Sequence, residues 1–225
     1  MRERYGRAAR QEAGCCGKGD HPSPGGARSV FGCGDPLAVA GVAPGQSVLD
    51  VGSGPGDDAL AAARQVGPAG RVVGVDMTDA MLERARGAAA AEGLTNVQFL
   101  QGDAESLPVP DRSMDWVISN CVVNLVPDKT RAFQEIFRVL KPGARFSITD
   151  LIGENLPDEL LANAAAYCAC IGGAPSEEDY LQSIRMAGFE DVAVVDRFAW
   201  EAPELEGTEG RVWSLKITAR RPAAA

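Results

Sequence analysis

Two residue types limit the chemistry of this chain. It has a single histidine, His21, and six cysteines, Cys15, Cys16, Cys33, Cys121, Cys168 and Cys170. One histidine in a Gly/Pro-rich stretch excludes a multi-histidine metal site and leaves little room for a Ser-His-Asp triad. The cysteines are not arranged as C-x-x-C…C-x-x-C, which argues against a structural zinc site. No apolar h-region follows the charged N-terminal residues, and no stretch is long and apolar enough to span a bilayer. The expected location is therefore cytoplasmic, where thiols stay reduced and serve as ligands, redox groups or small buried side chains.

The second chemical feature is Asp50-Val51-Gly52-Ser53-Gly54-Pro55-Gly56, which follows an apolar run and precedes an Ala-rich stretch. Glycines in such a turn let backbone pass close to a ligand. Asp76 lies 20 residues after Gly56 and closes the next apolar run, where a carboxylate can accept both hydroxyls of a ribose. Asp103, followed by Ala104, closes the third run, where a carboxylate can meet an adenine amino group. Acids in these places can simply cap helices, but a glycine turn and two acids at three consecutive strand ends suit a nucleoside better. A dinucleotide fits less well. The spacing is G-x-G-x-G, and a carboxylate at Asp50 would repel a pyrophosphate while attracting a cationic or zwitterionic ligand.

The elements needed to position these groups can be read from hydrophobic period. Strands are expected over 47–52, 71–76, 96–103, 114–120, 144–150, 191–200 and 211–221. Helices are expected over 58–66, 79–93, 128–143, 157–169 and 176–187. Strands alternating with helices imply a doubly wound, mostly parallel α/β sheet of seven strands, here ending in an antiparallel hairpin. Residues 1–45 read as a Gly/Pro/Cys-rich arm and 46–225 as one domain. The net charge of −9 argues against nucleic acid and anionic membrane as partners.

The Asp50–Gly56 motif, with Asp76 and Asp103, resembles the S-adenosylmethionine-dependent methyltransferases of Rossmann-like class I fold. The resemblance implies S-adenosylmethionine as methyl donor. It places Asp50, Gly52, Ser53, Gly54, Gly56, Asp76, Met77, Asp103, Ala104 and Asn120 at the cofactor, with Met77 on the adenine face. Methylating oxygen commonly needs a base; a thiolate-bound soft atom with a lone pair does not.

The segments YGRAARQEAGCCG, FGCGDP, SNCVVNLVPDK and CIGGAPSEEDY are similar to those of the arsenite S-adenosylmethionine methyltransferases, which serve arsenic detoxification. That resemblance implies that Cys121 and Cys170, in the 121–175 region, bind trivalent arsenic. It makes Cys33 a third arsenic-site cysteine and the partner of Cys121 in a transient disulfide, and Cys15 or Cys16 an auxiliary redox group. It also implies a thiol reductant, thioredoxin or glutathione, as partner. Cys168 is expected to pack. The CC and GCG segments, 17 residues apart from Cys16 to Cys33, are more closely spaced than in the family pattern. Two other readings use the same motifs: C-methylation of a small molecule such as a quinone precursor, and a non-enzymatic thiol-based arsenic sensor.

Overall fold

The computed structural model describes residues 32–157, 160, 166, 170–202, 205 and 208–224. Cys15, Cys16, His21, Cys168 and most of the helix expected over 157–169 lie outside the described residues. The chain runs β1 (Ser47–Val51), α1 (Asp57–Val66), β2 (Arg71–Asp76), α2 (Asp79–Ala91), β3 (Val97–Gln101), β4 (Met114–Asn120), α3 (Lys129–Val139), β5 (Leu140–Glu154), α4 (Glu177–Met186), β6 (Glu190–Ala199) and β7 (Arg211–Arg220).

The seven strands form one sheet in the order β3-β2-β1-β4-β5-β7-β6. β1 to β5 are parallel, and β7 enters antiparallel between β5 and β6. The sequence expectation of a mostly parallel sheet with an antiparallel ending is met. Reversal of strand order beside β1 places the ends of β1 and β4 at a topological switch point, where such sheets bind ligands.

Alternation along the strands supplies both faces with apolar residues. Val48 and Val72 face α1 and α2, meeting Leu60, Ala63, Val66 and Leu82. Leu49, Val73 and Phe146 face the other way, toward Phe133 of α3 and Tyr180 of α4. Phe133 and Tyr180 pack edge to face at 5.4 Å, as do Phe146 and Phe189 at 4.9 Å.

Several boundaries differ from the sequence expectation, among them the end of β5, which runs on to Glu154. α3 stops at Val139, because Leu140 is already extended and Lys141 precedes Pro142, which disfavours helical backbone. Gly143, at φ 79°, completes the break, and β5 begins at Leu140 rather than Ala144. β3 ends at Gln101, since Asp103 turns back to accept the Glu105 N–H.

Over β5 and β7, on the α1 side, residues 32–38 cover the sheet as a strap. The Ser147 hydroxyl donates to the Pro36 carbonyl at 2.7 Å, and the Ser214 hydroxyl to the Cys33 carbonyl at 2.8 Å. Both serines are fully buried, so these bonds satisfy polar groups that would otherwise be orphaned.

Candidate active site

The glycine turn is built by left-handed backbone at Gly52, Gly54 and Gly56 (φ 74°, 50° and 101°). A β-carbon on Gly52 would stand 2.2 Å from the Val122 side chain, so only glycine allows the turn this close to the segment after β4. Asp50 is buried beneath it. The Ala59 N–H reaches the Asp50 carboxyl, while among the described residues Asp50 Oδ2 and the Ser53 hydroxyl have no hydrogen-bond partner. Both residues line a pocket with Gly32, Gly52, Gly54, Pro55, Asp57, Asp58 and Asn120. Burial, reinforced by Asp58 and Asp76, pushes the Asp50 carboxyl well above the usual range. Burial likewise raises Asp58 to about 6, against the Asn120 amide, which donates to it at 2.9 Å.

The remaining cofactor-motif residues follow along the same sheet edge. Asp76 accepts the Gly54 N–H at 3.0 Å, tying the end of β2 to the turn, and the Thr78 N–H and hydroxyl at 2.8 and 2.7 Å. Half-buried Met77 comes next; exposed Asp103 and half-buried Ala104 stand beyond β3. Since β1, β2 and β3 are parallel neighbours, their carboxyl ends present Asp50, Asp76 and Asp103 in a row. An unpartnered buried carboxylate oxygen and hydroxyl in an acid-lined pocket fit a cationic nucleoside such as S-adenosylmethionine.

Next to this pocket lies the cysteine site. Cys33 of the strap, Cys121 after β4 and Cys170 are all buried, and none is in a disulfide. The Cys121 thiol is within hydrogen-bonding reach of both Cys33 and Cys170. The Cys33 thiol donates to the Thr149 carbonyl and the Cys170 thiol to the Cys121 carbonyl, each at 3.5 Å. Leu125, Leu151, Ile171, Ala174 and Val212 surround them, with Trp200 against the cluster. Burial in this apolar setting raises the Cys33 thiol and raises Cys121 further, so both are held protonated. Among the described residues no group of three or more His, Cys, Asp or Glu is arranged to hold a metal ion. The thiols are neighbours, not a preformed cage.

Asn120 joins the two halves. Its Oδ1 accepts the Cys33 N–H at 3.0 Å, and its Nδ2 donates to the Gly34 carbonyl at 2.7 Å as well as to Asp58. A β-carbon on Gly32 would collide with the Asn120 side chain, and one on Gly34 with Thr149. The GCG segment is thus glycine-flanked because the strap lies flat on β4 and β5.

Of the residues singled out from sequence, the structure brings Asp50 and Asp76 to the glycine turn, leaves Asp103 exposed beyond β3, and brings Cys33, Cys121 and Cys170 together. Sequence reasoning missed Asp58, signalled only by the acidic pair that opens α1, and Asp150, an acid inside the apolar run of β5. It also missed Asn124 and Tyr180, which bond to Asp150. Of the tryptophans, Trp116 packs on the α1/α2 side and Trp200 lies against the thiols.

A family model described as a methyltransferase domain matches residues 43–188. The chain is 44% identical over 185 residues to an arsenite methyltransferase of Halobacterium salinarum, covering 82% of this chain and 46% of that protein. A demethylmenaquinone methyltransferase of Listeria monocytogenes is 37% identical over 113 residues, or 50% of this chain and 48% of that one. The crystal structure of CrArsM, an arsenic(III) S-adenosylmethionine methyltransferase from Chlamydomonas reinhardtii, superposes with a TM-score of 0.77. It is 35% identical, with 96% of this chain and 74% of that chain covered. Sheet order, glycine turn and family match together define a methyltransferase domain. Within that class the chain belongs to the arsenite S-adenosylmethionine methyltransferases, and it spans about half the length of the curated relatives it matches. Among the described residues no helix is long and apolar enough to cross a membrane.

Proposed function

We propose that the chain transfers a methyl group from S-adenosylmethionine to trivalent arsenic bound by Cys121 and Cys170, with Cys33 as the third thiol of the site. The observation that carries this reading is the meeting of three buried thiols beside an acid-lined nucleoside pocket, with Asn120 between them. Soft thiolates select a soft centre. Exchange on arsenite balances without an external base: each thiol proton leaves with an arsenic hydroxyl as water as the As–S bond forms. Two or three sulfurs leave the arsenic lone pair unshared. When bound, S-adenosylmethionine supplies a methyl group activated by its sulfonium charge.

Asp50 and Asp58 would hold that charge, Asp76 the ribose and Asp103 the adenine end. Catalysis is then largely orientation of two bound partners, with apolar side chains around the thiols and acids around the donor. Methylation oxidises arsenic formally by two electrons. Cys33 and Cys121 can return them: their As–S bonds break as the S–S bond forms, leaving arsenic trivalent, and thioredoxin or glutathione would reduce the disulfide. Cys15 and Cys16, outside the described residues, remain candidates for the auxiliary redox role.

Arsenic speciation after incubating reduced protein with arsenite, thiol and S-adenosylmethionine tests the proposal. Methylated arsenicals are expected, with none from Cys121→Ser or Cys170→Ser. Normal turnover by either variant would overturn the ligand assignment. Similarity to the quinone methyltransferase covers half the chain and supports C-methylation as a second reading. Product from a quinone precursor, with none from arsenite, would establish it. Arsenite binding without donor affinity would leave a sensor.

A further inference from the structure

Both proposed arsenic ligands have left-handed backbone, φ 59° at Cys121 and 63° at Cys170. Side chains with a β-carbon adopt this conformation only when their surroundings impose it. The two cysteines lie on separate loops, one after β4 and one before α4, so a link between the loops must set the separation of the sulfurs.

That link runs through Asn124. Its backbone N–H donates to Asp150 Oδ2 at 3.1 Å, and its side-chain Nδ2 donates to the carbonyl of Cys170 at 2.8 Å. A β-carbon on Gly173 would stand 2.7 Å from the Asn124 carbonyl, so the second loop also packs against the Asn124 backbone. Asp150, buried in β5, is the anchor. It accepts the Tyr180 hydroxyl from α4, and the Val122 N–H beside Cys121 bonds to the same carboxyl. Asn124, Asp150 and Tyr180 are each fully buried. Among the described residues, Asn124 Oδ1 and Asp150 Oδ1 have no hydrogen-bond partner. Burying an acid and an amide with one oxygen each unsatisfied is unfavourable for folding, and apolar residues of similar volume commonly do better. What apolar residues could not do is hold one loop's backbone to the other's at a fixed distance.

We propose that Asn124, anchored on the Asp150–Tyr180 pair, is the positioning residue that fixes the spacing of the Cys121 and Cys170 thiols. The inference rests on the reading that these two thiols hold arsenic, and its test separates the two claims. The probe is phenylarsine oxide, a trivalent arsenical that bridges two thiols, titrated into the full reduced chain. Donor affinity is measured in parallel by calorimetry with S-adenosylmethionine.

Asn124→Ala should weaken phenylarsine oxide binding about tenfold, the scale of a lost buried hydrogen bond that strands a carbonyl. Donor affinity should stay within about twofold, as for sites that share no partner. Tyr180→Phe keeps the ring on Phe133 and removes the hydroxyl from Asp150. It should weaken the arsenical about threefold, as a smaller loss of the same kind. Cys121→Ser and Cys170→Ser should abolish tight binding. Tight binding retained by both serine variants would overturn the ligand reading itself. Tight binding lost in the serine variants but unchanged in Asn124→Ala would overturn only the positioning role. Should Asn124→Ala not fold, Tyr180→Phe and Gly173→Ala, which presses a methyl on the Asn124 carbonyl, decide it: unchanged affinity in both overturns the role.

Discussion

Asp58 lies in the pocket proposed for the donor, with its carboxyl raised to about 6 by burial. At pH 5 it is mostly neutral; by pH 7 it carries a charge. A cationic donor favours the ionised form, so affinity should strengthen as pH rises from 5 to 7 and then level off. Asp58→Asn should flatten that profile in a calorimetric titration of S-adenosylmethionine. Asp150 acts on stability instead. Its folded value of about 7 lies above the ordinary 3.8 because burial disfavours the charge. Between those values the native state holds more protons than the unfolded chain, so stability should fall as pH climbs from about 4 to 7. Lys129, Cys170, Cys33 and Tyr180 are the titratable groups that interact with it. Urea midpoints of Asp150→Asn at pH 5 and 7.5 should differ less than those of the parent. At this scale the sequence is informative where chemistry coincides with a strand end, as for Asp50, Asp76, Asp103 and Cys121. Asp150 and Asn124 have no such mark. Their role comes from burial and from partners on distant segments, which spacing along the chain does not encode.

The elements were almost wholly legible, because strands buried on both faces read as apolar runs and α3 carries a clear apolar stripe. The end of α3 was not, since the helical pattern runs on through Leu140 while Pro142 acts one residue earlier, on Lys141. The strap was the least legible element. Its Gly/Pro composition carries no hydrophobic period, and its place on the sheet depends on hydroxyls from β5 and β7. Ser147 and Ser214 interrupt apolar strands for this reason. Ser214→Ala removes the donor to the Cys33 carbonyl and should cost about 1 kcal/mol of strap docking. Cys33 should then alkylate faster with iodoacetamide, read by peptide mass spectrometry, with Cys121 and Cys170 labelled at the parent rate. Equal labelling of Cys33 in both proteins would show that the hydroxyl does not hold the strap.

For the whole molecule, β7 is the strand on which the rest of the sheet depends. It pairs with β5 over Arg145 to Glu154 and with β6 over Glu190 to Ala199. Removing residues 211–225 strands β6, bares the β5 edge and takes away Ser214. The truncated chain should show no cooperative thermal transition by circular dichroism, where the intact chain shows one. The Ser214–Cys33 bond also spans 181 positions of sequence, so the thiol site is complete only when segments from nearly opposite ends of the described chain have met. Pairing at such separation comes late in folding. Until then the thiols are exposed and unspaced, and a trivalent arsenical can cross-link any two of them. For a newly made chain the proposed substrate is therefore a poison. Refolding from urea with arsenite already present should give a lower yield than adding arsenite after refolding, so order of addition alone should separate active from trapped protein.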